Sequence, residues 1–267
     1  MKRFTKILLA AGALAVSAMS HAVPVNNWDV TVTGTWSDFA PNPGVSNPNP
    51  TTLQWGTSTG FGQSSLVITN PSPAVTNIPT WYGVGLPGIG YIADSVSLTH
   101  NNRPITGNSL TSATLTVAVT IKPTSPAGPD QVLADIDYKI KFVETPNQTP
   151  CAAASPAGNP CNDIFVLIDG LLNEELFYDG QMYYVNALPL AGGVLSTLSN
   201  GACAAAGQAN GCIGFTTVER DSTKLAFGLS ISSEKLVQQV PEPGSLALIG
   251  LALAGVGFAT RRRRSAA

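Results

Sequence analysis

The chain predicts an all-β protein, an antiparallel β-sandwich of jelly-roll-like type, and three observations carry that prediction. Several segments alternate apolar and polar residues with period two, clusters of Gly, Pro and Asn separate them, and the body carries no long apolar stripe of helical period. In 28–36, Trp28, Val30, Val32 and Trp36 fall on one face, with Asp29, Thr31, Thr33 and Thr35 on the other. Segment 112–122 places Ala113, Leu115, Val117, Val119 and Ile121 together, mostly opposite threonines. In 134–142 the faces sort completely, Ile136, Tyr138, Ile140 and Phe142 inside and Asp135, Asp137, Lys139 and Lys141 outside. A helix would scatter both sets around its circumference.

Segments 65–69 and 163–168 are shorter, more continuously apolar strands, and 213–218 and 225–231 follow. Asp179-Gly180 predicts a type I′ hairpin, because both central residues must take positive φ. Segment 40–50, APNPGVSNPNP, reads as an exposed loop, since proline cannot donate to a ladder. Segment 78–90, with Trp81 and Tyr82 ahead of a glycine-rich run, also reads as loop, and 171–177 has room for a turn or two of helix. No internal repeat is present, which argues against a propeller or solenoid.

Both ends of the chain read as addresses. Lys2, Arg3 and Lys6 precede an apolar core from Ile7 to Met19, and Ser20-His21-Ala22 supplies small residues for cleavage after Ala22. That is the pattern of a secretory signal peptide, residues 1–22, read by the Sec translocon and signal peptidase. At the other end Val240, Pro241, Glu242 and Pro243 lead into an uncharged apolar run, Leu246 to Ala259, closed by Arg261, Arg262, Arg263 and Arg264. An arginine costs roughly 2.5–3.5 kcal/mol at the membrane centre, so this cluster is expected to stop transfer and stay cytoplasmic. As a helix the run spans only about 21 Å against a hydrocarbon core of about 30 Å, which suits a temporary anchor. Residues 23–239 remain as the β-sandwich body, long enough for one large core.

The tail, residues 240–264, resembles the PEP-CTERM sorting signal, with Pro241-Glu242-Pro243 as the tripeptide, a short transmembrane helix and a basic end. The resemblance implies that an exosortase removes the tail from a protein exported by a Gram-negative cell. It further implies a transient inner-membrane anchor, a final place at the cell surface or outside, and an association with exopolysaccharide and biofilm.

Seven basic residues lie in the body against fifteen acidic ones, the other basic residues being in the leader and the arginine cluster. An acidic body lacks the basic footprint that nucleic acid requires. All four cysteines are exported with it, where oxidation is allowed. Cys151 and Cys161 bracket AAASPAGNP, and Cys203 and Cys212 bracket AAAGQANG, both of loop composition, so local pairing is expected among the three possible connectivities. A four-thiolate metal site would need closer Cys-x-x-Cys pairs.

Thr99, His100, Asn101 and Asn102, in LTHNNRPI, resemble the motif that names the THxN family of PEP-CTERM proteins, with Trp55-Gly56 and Ser64-Ser65-Leu66 upstream where that family places a Trp-Gly and a following strand. The chain departs from the family pattern at Leu98 and Arg103, where aromatics are common. No activity comes with the family. His100 is the one histidine left after leader removal. In one reading its imidazole and the Asn amides bond to backbone where a strand ends before Pro104; in the other, His100, Asn101, Asn102 and Arg103 line a groove that reads sugar hydroxyls.

Two catalytic-looking strings carry no chemistry. Gly56-Thr57-Ser58-Thr59-Gly60 fits G-x-S-x-G without the strand and helix of a nucleophile elbow. Gly83 to Gly88 fits G-x-G-x-x-G without a βαβ unit. Asp163, Asp169, Asn173, Glu174 and Glu175 offer oxygen ligands for calcium but match no defined calcium loop, and no other cofactor is implied. Asp135 and Asp137 read as a solvated face. The expected function is therefore non-enzymatic, structural or adhesive, with polysaccharide as partner; the alternative is a carbohydrate-active enzyme or a calcium-dependent carbohydrate-binding module.

Overall fold

Seventeen strands occur among the residues described by the computed structural model, which are 23–83, 85–153, 161–169, 173–190 and 194–236. In chain order they are β1 (Asn27–Ala40), β2 (Val45–Asn49), β3 (Thr52–Trp55), β4 (Thr57–Ser58), β5 (Ser64–Thr69) and β6 (Val75–Pro79). A single 3-10 turn, Ile89–Tyr91, precedes β7 (Ala93–Asn101), β8 (Ile105–Thr106), β9 (Ser112–Ser125), β10 (Gln131–Val132) and β11 (Ile136–Val143). Then come β12 (Asp163–Asp169), β13 (Glu174–Tyr178), β14 (Gln181–Pro189), β15 (Ser196–Thr197), helix α1 (Asn200–Ala205), β16 (Ile213–Thr217) and β17 (Ser222–Ser232).

Every pairing between these strands is antiparallel. One sheet runs β15-β16-β12-β11-β9-β1-β6, with β10 also on β9; the other runs β13-β14-β17-β7-β5-β3-β2; β4 and β8 form a short separate ribbon. The alternating residues point inward as the period-two pattern requires. Trp28, Val30, Val32 and Trp36 of β1 are buried, as are Ala113, Leu115, Val117, Val119 and Ile121 of β9. The two inner faces meet through aromatic pairs: Trp28 with Tyr183 at 5.0 Å, Tyr138 with Phe227 at 5.3 Å and Trp55 with Phe142 at 5.0 Å. Gly34 lets the sheets approach at mid-strand, since a Cβ there would stand 2.8 Å from Val96 and 3.1 Å from Ile68 of the opposite sheet. This is a β-sandwich.

Strand β12 reads as continuously apolar because both of its faces are covered. Phe165 and Leu167 enter the main core, while Ile164 and Val166 pack outward against Ala153, Ala202 and Ala206 beneath α1. Both cysteine pairs are disulfides in the expected local connectivity, Cys151–Cys161 and Cys203–Cys212. The Asp179-Gly180 hairpin also forms, with both residues at positive φ.

Three expectations change. Segment 40–50 is not all loop: Val45–Asn49 forms β2, where the lowest-numbered edge of its sheet tolerates proline. Glu174–Tyr178 is a strand rather than helix, held by its hairpin partner β14. The stretch read as loop around Cys203 contains α1, whose N-cap Ser199 accepts from the Ala202 N–H. The described residues of 78–90 are mainly irregular, though β6 takes Ile78 and Pro79. The expected leader 1–22 and the tail 240–264 lie outside the described residues. Among the described residues no helix is long and apolar enough to cross a membrane.

Candidate functional site

The motif residues stand at the end of β7, where the strand is flanked by β5 and β17. His100 pairs in register with Leu66 and Thr223, and Asn101 with Ser65 and Ser222. Alternation along the strand sends His100 inward and leaves Asn101 half-buried, its amide donating to Ser65 Oγ at 3.0 Å and its carbonyl accepting from Ser222 Oγ at 2.7 Å. Beyond the strand, Asn102 is fully buried, its Nδ2 donating to the Thr217 carbonyl at 3.1 Å and its own N–H to the Asp221 carbonyl at 3.0 Å. The Arg103 N–H donates to Ser64 Oγ at 3.1 Å. The upstream Trp-Gly and Ser-Ser elements are thus folded against the motif.

His100 is 1% exposed, its ring stacked on Trp55 at 5.9 Å with 11° between planes and edge-on to Phe142 at 4.8 Å. Neither ring nitrogen has a hydrogen-bond partner within the protein. Its Nε2 lies 3.8 Å from Oδ2 of Asp163, too far for a hydrogen bond. Burial lowers the His100 pKa to about 3, so the ring is neutral. His100 and Asn102 therefore do not line an open groove; of the four, only Asn101 and Arg103 reach solvent.

Asp163 lies beside this histidine, and two further carboxyl groups, Glu144 and Glu219, interact with Asp163. Glu144, just past β11, accepts from Trp55 Nε1 at 3.0 Å. Asp163, the first residue of β12, accepts at Oδ1 from the Thr145 N–H at 3.0 Å. Glu219 accepts from Asn147 Nδ2 at 2.7 Å. Desolvation, followed by the charge of Glu144, pushes Asp163 up to about 9. Desolvation also pushes Glu144 up to about 7, against the pull of the Trp55 hydrogen bond. Carboxyls this close in low dielectric cannot both ionise, so at neutral pH the buried Asp163 keeps its proton and the His100–Asp163 contact is not an ion pair.

Glu144 also reaches outward. With Ser109, Thr111, Lys141 and Gln208 it borders a groove of about 450 Å³ between the start of β9, the end of β11 and the end of α1. The buried cluster therefore has one member at a surface.

Trp55 was singled out by the Trp-Gly element, whereas Glu144, Thr217 and Glu219 had no local signature. Glu144 is one of fifteen acidic body residues, and its partner Trp55 lies 89 positions away. Of the residues weighed for calcium, Asp163, Asn173 and Glu175 are held apart. Asp163 is inside the sandwich, Glu175 is on the other sheet and bonded to Lys235 at 2.8 Å, and Asn173 is hydrogen-bonded to the Leu236 backbone. Among the described residues no three metal-ligating side chains of His, Cys, Asp or Glu converge. The G-x-S-x-G string is no elbow: Ser58 Oγ accepts from the Gly60 and Gly62 N–H groups at an exposed turn.

The sorting residues Val240, Pro241, Glu242 and Pro243 and the cluster Arg261–Arg264 lie outside the described residues, and sequence comparison bears on them directly. Comparison with curated proteins found no match. Residues 239–264 match the family model of the PEP-CTERM protein-sorting motif. That motif marks a protein exported and sorted by exosortase to the cell surface, and by it the chain is a PEP-CTERM protein.

Proposed function

We propose that the chain is a structural or adhesive protein of the cell surface or extracellular matrix, a jelly-roll-like sandwich whose partner is exopolysaccharide in a biofilm. A leader, residues 1–22, takes it through the Sec translocon of a Gram-negative cell, and signal peptidase cuts after Ala22. The apolar run 246–259 and Arg261–Arg264 then hold it in the inner membrane until exosortase removes the tail. The single observation that carries this reading is the sorting motif at 239–264. Two disulfides and a core spanning both sheets support it, because a matrix protein must survive outside the cell.

A second reading, a carbohydrate-active enzyme, is favoured by one observation. Glu144 borders the groove, and its carboxyl is held near neutrality by burial, as a general acid requires. One experiment separates the two. The exported protein is incubated with matrix polysaccharide, and retention and new reducing ends are measured together. Retention without new ends is the expected result, steady release of ends establishes the enzyme, and neither retention nor release refutes both. Glu144→Gln is to abolish release if the enzyme reading holds.

A further inference from the structure

Where the end of β7 meets the start of β12 and the end of β16, side chains that are all more than nine-tenths buried carry polar atoms with no partner within the protein. They are His100 (both ring nitrogens), Asn102 Oδ1, Asp163 Oδ2, Thr217 Oγ1 and Glu219 Oε1. Native interiors satisfy nearly all such atoms, so this concentration in one place demands a cause. The chemical types are those of an acyl transfer: a hydroxyl, a primary carboxamide, carboxyls and an imidazole.

Asn102, Thr217 and Asp163 are also neighbours. Asn102 is fixed by its own N–H on the Asp221 carbonyl, at 3.0 Å, and its Nδ2 reaches the carbonyl of Thr217 itself at 3.1 Å. Asp163 stands directly opposite Thr217 in the β12–β16 pair, so the two side chains share the inner face of the sheet. Thr145 holds Asp163 through Oδ1 and leaves Oδ2 facing His100.

We propose that Thr217 and Asn102 become joined by an intramolecular ester, formed without any external reagent. Thr217 Oγ1 attacks Cγ of Asn102; the Oγ1–Cγ bond forms and the Cγ–Nδ2 bond breaks. The base is the small ionised fraction of Asp163: its Oδ2 takes the hydroxyl proton and passes it to the departing nitrogen, so the carboxylate ends as it began and one ammonia leaves. The burial that raises Asp163 to about 9 makes its anion correspondingly basic. The surrounding apolar wall of Trp55 and Phe142 keeps out the water that would hydrolyse the ester. His100 is a positioning residue, packed behind Asp163. The two disulfides close only local loops, whereas this bond ties the end of β7 in one sheet to β16 in the other, 115 positions apart. Such a cross-link suits a protein pulled from outside the cell and does not depend on which ligand it holds.

Mass spectrometry of the full exported protein tests the bond. The expected intact mass is lower by one ammonia than that of the chain with its two disulfides. Digestion is expected to release one branched peptide joining the Asn102 and Thr217 segments, which neutral hydroxylamine splits to leave a hydroxamate on Asn102. Thr217→Ser is to keep the loss of ammonia; Thr217→Val and Asp163→Asn are to abolish it in protein whose far-ultraviolet dichroism is unchanged. An intact mass without the loss, or separate linear peptides carrying unmodified Asn102 and Thr217, overturns the proposal. Loss of ammonia located at any other residue overturns it equally. The wild-type measurement decides the matter even if a variant fails to fold.

Discussion

Raising the pH from 7 to 9 is predicted to weaken the folded protein, chiefly through Asp163. Its folded pKa, pushed to about 9, stands above its unfolded value of 3.8. The native state therefore holds a proton that the unfolded chain has released. Stability from this group is fully present below the unfolded value and is lost as the pH rises through the folded one. At about 1.4 kcal/mol per proton per pH unit, the loss across those two units is on the order of 3 kcal/mol. Glu144, raised to about 7, adds a loss of the same sign that is complete near neutrality. His100 acts oppositely: lowered to about 3, it contributes stability that is present above its unfolded value near 6.5 and is lost as the pH falls through 3. Between about pH 4.5 and 6.5 the two carboxyls outweigh the one imidazole, so stability already declines with rising pH there. The assay is urea unfolding by Trp fluorescence at half-unit pH steps, with the disulfides verified intact at each. Asp163→Asn keeps the shape, cannot ionise, and is to flatten the curve above pH 7. A wild-type midpoint that is constant or rises from pH 7 to 9 refutes the reasoning.

Substituting His100 by Leu removes a buried imidazole with no hydrogen bond and retains contact with Trp55 and Phe142, so stability at pH 7 is expected to change by less than about 1.5 kcal/mol while the variant gains more stability than wild type as the pH falls from 6 to 3, the opposing imidazole being gone; chemical denaturation at both pH values checks it. Gly34→Val is expected to cost about 1–3 kcal/mol or to block folding, because even its Cβ meets Val96 at 2.8 Å, and differential scanning calorimetry reads the shift. Replacing Cys203 and Cys212 together by Ala opens a loop between residues nine apart in sequence and is expected to cost about 2–3 kcal/mol, measured by urea midpoint against wild type. Changing Pro241-Glu242-Pro243 to three alanines is expected to leave the tail attached, seen as intact mass retaining Arg261–Arg264 in membrane fractions; normal processing of that variant would contradict sorting through the motif.

Most of the sandwich was legible in the chain because the signals that carry it are local. Period-two alternation needs only a few neighbours, and β1, β9, β11 and β17 stand where it placed them. Local loop composition around the cysteines likewise led to the observed disulfides. Strands β2 and β13 were not legible, since an edge position and a hairpin partner, rather than intrinsic preference, make those residues extended. Helix α1 escaped notice because six residues are too few to show a period, and its stability comes from covering Ile164 and Val166.

By itself the sequence determined the route of this protein, because a sorting motif acts as a contiguous string and is read before or apart from folding. It also determined the class of fold, through the alternation of residues along each strand. Only the tertiary structure decided that His100 is walled in by Trp55 and Phe142, that Asp163 lies beside it, and that Glu144 and Glu219 act on Asp163. The physical reason is distance along the chain. Desolvation and the mutual repulsion of carboxyls depend on neighbours brought from as many as 115 positions away, and no local pattern records which face of the opposite sheet a side chain will meet.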